Sequence, residues 1–151
     1  MRMNARSCYA VLAAVELARD WPAGKALCVR ELAGRTGVPE GFLVQILQTL
    51  RRAGIVESVR GAGGGFRLAA PPGEVSVGRV LRASGGGDGY VETSSFADGA
   101  LELTASQETA RALGMVLSEA ERALARTFDG LTLAAVLARV AGPAPAPDYQ
   151  I

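Results

Sequence analysis

Between Glu40 and Ala69 the hydrophobic period of the chain changes once, and that change limits the folds open to it. In "EGFLVQILQTLRRA" the apolar residues Leu43, Ile46, Leu47 and Leu50 recur at i, i+3, i+4 and i+7, the stripe of a helix that buries one face. After Gly54, "IVESVR" and "GFRLA" alternate apolar and polar positions, the period of a half-buried strand. The cluster "GAGGG" between them makes the pair a hairpin. Glycine-rich loops also cradle nucleotide phosphates, so that alternative needs weighing. A P-loop ends in Gly-Lys-Ser/Thr, which is absent, and a dinucleotide fingerprint on Gly61 and Gly63 needs a third glycine where Phe66 stands. Neither motif survives. A glycine-tipped hairpin directly after a helix remains.

The residues before this helix set its context. "NARSCYAVLAAVELARDW" spaces Tyr9, Leu12, Ala13, Val15, Glu16 and Leu17 as a helix does, with Asn4 as N-cap, and "WPAG" breaks it. "CVRELAGRTG" predicts a short helix ending at Gly37; its Cys28-x-x-Glu31 start has capping-box spacing, with sulfur where a hydroxyl is usual. Pro39 suits the first turn of the next helix, which Gly54 closes. Two helices joined by a turn containing Gly37 form a helix-turn-helix pattern, and the hairpin is then a wing. Opposite the apolar stripe of the third helix lie Gly41, Gln45, Gln48 and Arg52. Gln and Arg are the side chains that pair with adenine and guanine edges, although an ordinary solvated face has the same composition. Glycines at the wing tip let backbone N–H groups approach a phosphate surface closely, and Arg60 and Arg67 flank them.

Charge divides along the chain in the same sense. Met1 to Arg82 holds twelve Lys and Arg against six Asp and Glu, whereas Ala83 to Ile151 holds four against nine. A basic front half suggests a polyanionic partner; an unevenly charged solvated surface is the bland alternative. Aromatic residues are only 5% of a chain that is 49% hydrophobic, so the core must be built from Ala, Leu and Val on closely packed helices. There is no histidine, which removes the commonest general base and metal ligand together. No paired carboxylates stand at a motif spacing, so no catalytic apparatus is visible and an enzyme is not expected. Two cysteines, no signal-peptide pattern and no long apolar run suit a cytoplasmic protein without membrane partners.

With 151 residues, the chain is long enough for one domain and a helical appendage. After "APPGE", the capped helix "SVGRVLRAS" closes the winged domain, expected over 1–83. Residues 84–104, with "GGGDG", read as a flexible Gly-rich loop. A long helix is expected over 105–127, with Leu113, Val116, Leu117, Ala120 and Leu124 on one face, followed by the shorter "TLAAVLARV". Together they make a dimerisation and closing unit over 105–141, leaving a Pro-rich tail over 142–151. The fold class is therefore mainly α with a small β-wing: a winged helix-turn-helix domain plus a long C-terminal dimerisation helix.

Three stretches, "YAVLAAVELA", "FLVQILQTLRRAGIVESVRGAGGGFRLA" and "VSVGRVLRA", resemble the Rrf-two family of bacterial winged-helix regulators, the similarity running from Met1 to about Val140. The resemblance implies a homodimeric, sequence-specific transcription factor, usually a repressor, on a palindromic operator in double-stranded DNA. It places the third helix in the major groove, the wing at the minor groove, and the long helix against its twin. Three departures stand out. Many members hold an iron–sulfur cluster through three cysteines in the loop after the wing, and Gly85 to Thr104 contains none. Val44 stands where a glutamate often precedes the glutamine, and Cys8 where an arginine commonly precedes the tyrosine.

The candidate DNA-contacting set is Arg2, Arg6 and Tyr9 at the start of the first helix, and Glu40, Gly41, Phe42, Gln45, Gln48 and Arg52 on the third. From the wing it adds Arg60, Gly61, Gly63, Gly64 and Arg67. No metal site or cofactor is expected, since two cysteines without histidine are poor material for a cluster that takes about four soft ligands. Cys28 reads either as a small, half-buried residue or as a thiol activated by its helix N-terminus for redox sensing, with Cys8 a weaker candidate. The signal, whether small-molecule, redox or protein, is left open. The rival to a DNA-binding regulator is a winged helix that docks protein instead; such surfaces tend to expose large apolar anchors.

Overall fold

The computed structural model describes residues 4–85 and 107–142. Arg2, nearly all of the expected loop over 84–104, and the tail beyond Gly142 lie outside the described residues. Helix α1 (Ala5–Arg19) is capped by Asn4, whose Oδ1 accepts from the Ser7 N–H at 2.7 Å, and a short 3-10 turn (Trp21–Ala23) follows it. Helices α2 (Val29–Thr36) and α3 (Glu40–Arg52) meet at a turn where Gly37 adopts φ 71°, the left-handed conformation that glycine tolerates. Strands β1 (Val56–Val59) and β2 (Gly65–Leu68) pair antiparallel, Val56 with Leu68 and Val59 with Gly65. Helix α4 (Val77–Ser84) is followed by the long α5 (Gln107–Gly130) and by α6 (Leu133–Ala141). The architecture is the expected winged helix-turn-helix with a long C-terminal helix.

Packing follows the composition. Ala10, Ala13, Ala14 and Ala18 are buried on α1, whose small side chains let neighbouring helices come close. Leu43, Ile46, Leu47 and Leu50 of α3 close the other side of the same core with Leu27, Leu32, Ile55, Leu68 and Val80. Leu133, at the start of α6, belongs to that cluster too, so the closing helix shares the winged domain's core. Backbone bonds stitch it there: the Leu133 N–H donates to the Val75 carbonyl at 2.9 Å and the Val77 N–H to that of Leu131 at 2.8 Å. Helix α5 runs to Gly130, three residues past the expected end at Thr127, and none of its residues is buried. Its carboxylate Asp129 accepts from Arg82 on α4 at 2.6 Å and packs over Gly78, where an added Cβ would force the Asp129 side chain to shift.

Candidate nucleic-acid interface

Helix α3 presents the expected outer face. Gly41, Gln45, Gln48 and Arg52 are all exposed, on the side away from the buried leucines. Glu40 opens the helix, where a carboxylate complements the N-terminal partial charge. At the other end, the Arg79 guanidinium reaches from α4 and donates to the carbonyls of Ala53 (3.3 Å) and Gly54 (3.1 Å). Those carbonyls lie past the last helical turn and have no partner within α3, so Arg79 fixes the helix end against the domain. Sequence patterning did not single out Arg79, because its partners lie 25 and 26 residues away.

The first helix contributes its start to the same surface. Arg6 donates to Thr49 Oγ1 at 3.1 Å, and Arg52 donates to the same oxygen at 3.4 Å. Two guanidinium groups thus converge on one hydroxyl. Thr49 was not among the expected site residues, though it follows Gln45 by one helical turn, a spacing that places it beside the outer face. Arg51, also not expected, reaches Ser58 on β1 at 3.5 Å. Tyr9 packs against Phe42, with ring centroids 6.2 Å apart and planes at 59°. Arg6, Tyr9, Phe42 and Gln45 line one cleft of about 190 Å³.

The wing is anchored at its base and open at its tip. Leu27 and Phe66 exchange backbone hydrogen bonds of 2.9 and 2.8 Å, adding a bridge between the wing and the segment before α2. Gly65 makes this possible, since a Cβ there would collide with the Leu27 carbonyl. Gly61 takes φ 106° and its carbonyl accepts from the Gly64 N–H at 2.9 Å, closing the tip, while Gly63 faces open space. Arg60 is exposed beside the tip. Arg67, expected to act with it, is held by Glu57 directly across the sheet at 2.6 Å.

Ion pairing separates the cations into two populations. Arg19, Lys25, Arg35, Arg67 and Arg82 each have a carboxylate partner. Arg6, Arg51, Arg52 and Arg60, around α3 and the wing tip, form no ion pair among the described residues. Arg30, Arg79, Arg111 and Arg139 also form no ion pair among the described residues, so four of the eight arginines without a carboxylate partner lie where the outer face of α3 meets the wing.

A family model covering residues 3–139 matches this chain, described as Rrf2, iron-dependent transcriptional regulator. The chain belongs to the Rrf2 family. The family consists of DNA-binding transcriptional regulators and not of enzymes. An rrf2-like HTH-type regulator of Rhodobacter capsulatus is 45% identical over 78 residues, which are 49% of this chain and 51% of that protein. The HTH-type transcriptional regulator IscR of Aliivibrio salmonicida is 37% identical over 83 residues, 55% of this chain and 49% of that one. The chain thus spans about half the length of the curated relatives it matches. The solved structure of T. potens IscR superposes with a TM-score of 0.74 at 27% identity, covering 95% of this chain and 93% of that one.

The iron in the Rrf2 description finds no matching donor set here. Cys8 lies on α1 and Cys28 caps α2, where its Sγ accepts from the Glu31 N–H at 3.4 Å while Glu31 Oε2 accepts from the Cys28 N–H at 3.0 Å. Among the described residues, no group of three or more His, Cys, Asp or Glu is placed to hold a metal ion. The segment between α4 and α5 has no cysteine in its sequence. These residues do not fit an iron–sulfur cluster. No helix among the described residues is long and apolar enough to cross a membrane.

Proposed function

We propose that this chain binds double-stranded DNA as a homodimer and represses transcription from a palindromic operator, without an iron–sulfur cluster. Residues 1–83 would carry DNA recognition, 84–104 the connection, 105–141 dimerisation, and 142–151 a tail. The observation that carries the reading is the unpaired arginine group, Arg6, Arg51, Arg52 and Arg60, bordering a helix face that offers Gln45 and Gln48. Arginines without carboxylates neutralise phosphates and fix register, while amides reach base edges. Dimerisation rests on α5, about 36 Å long at the helical rise, with Leu113 37% and Val116 65% exposed and Leu117 and Leu124 half-buried. A second copy covers such a stripe symmetrically, and a two-fold protein calls for a palindromic site.

The rival reading, a module that docks protein, draws support from Phe42 and Val44, which are exposed on α3. Sheared genomic DNA incubated with the protein and excess heparin separates the two. Recovered fragments sharing one inverted repeat support the regulator. Fragments without a common sequence, or none, overturn it in favour of protein docking or purely electrostatic binding.

A further inference from the structure

Phe42 lies on the reading helix and is 57% exposed, more than any other large hydrophobic residue described in α1 to α4. A phenyl ring left in water forgoes the free energy of burial, which makes its placement informative. Its position is also defined. Tyr9 supports one side, and Gln45, one turn further along α3, lines the same cleft. The first two turns therefore hold an apolar ring and an amide next to each other.

The major groove offers that ring one kind of partner. Base edges there carry hydrogen-bond donors and acceptors, and the 5-methyl group of thymine is the only apolar group among them. Glutamine beside it pairs best with adenine N6 and N7. We propose that Phe42 is a specificity-determining residue that reads a thymine methyl group in each half-site, next to the base contacted by Gln45. This deepens the proposed function and rests on α3 entering the major groove. The pairing of an apolar ring with an amide then selects A·T pairs at the start of the reading helix.

Deoxyuridine tests this directly, because it keeps the hydrogen-bonding groups of thymine and lacks only the methyl. Fluorescence anisotropy would compare the recovered operator with duplexes carrying uridine at one symmetric thymine pair at a time. The expectation is one position per half-site where uridine weakens binding by about fourfold per half-site, the worth of one buried methyl-sized group. Phe42→Ala should bind the thymine operator more weakly and no longer distinguish thymine from uridine. Phe42 is mostly exposed, so the variant should fold, and a thermal melt matching the parent's would verify it. Tight binding that no uridine disturbs, or a uridine penalty that persists in Phe42→Ala, overturns the proposal while leaving the DNA-binding reading intact. Loss of all sequence preference in the parent protein would overturn both.

Discussion

At the scale of single residues, Gln45 and Arg52 share a helix face but should fail differently. The Gln45 side-chain amide makes no hydrogen bond among the described residues and is exposed, so Gln45→Ala should lose about 1–3 kcal/mol on the preferred site and little on unrelated DNA. Arg52, beside Arg6 on Thr49, sits where phosphate neutralisation is the simpler role. Its replacement by Ala should weaken all sequences alike and lower the salt slope by roughly one unit. Titrations at several salt concentrations separate these outcomes. Glu31 supplies a pH-dependent check on the fold. The Lys25 ammonium, with the Cys28 N–H behind it, holds its carboxyl down from 4.5 to about 2. A carboxylate lowered on folding stabilises the protein above its unfolded value, and that contribution fades as pH falls from 4.5 towards 2. The Tm difference between the parent and Glu31→Gln should accordingly be present at pH 6 and vanish near pH 2. A constant difference would show that the ion pair is not its source.

Within elements, local pattern was the reliable guide. The buried stripe of α3, the Asn4 cap and the sulfur-bearing capping box at Cys28 were all readable, because each depends on residues within a few positions. Contacts made across the fold were not. Gly65 matters through Leu27, and Arg67 is occupied by Glu57 because the sheet register sets them opposite one another. Arg79 and Thr49 acquire their partners only when helices pack. The glycine cluster allows a sharp comparison. Gly65→Ala must displace the Leu27 backbone and should cost roughly 1–3 kcal/mol by lost bridging bonds and strain. Gly63→Ala meets no atom within 4 Å and should stay within about 0.5 kcal/mol of the parent. Urea melts that gave equal losses would contradict the anchored wing.

For the whole molecule, the proposed function depends on two copies pairing through the long helix. Replacing both Leu113 and Val116 by Glu should yield a monomer in light scattering at micromolar concentration, with the winged domain still folded, because neither residue is buried. A persisting dimer would move the interface elsewhere. Protein purified without oxygen should be colourless, and a chelator should leave DNA binding unchanged; stoichiometric iron and sulfide would reverse the donor-set argument. Sequence recognition by α3 and the wing is the central claim, and its most direct measure is the ratio of affinities for the recovered operator and a scrambled duplex of equal length. At physiological salt the account predicts a preference of about a thousandfold or more, the range of specific regulators. Equal affinities for the two duplexes would contradict it.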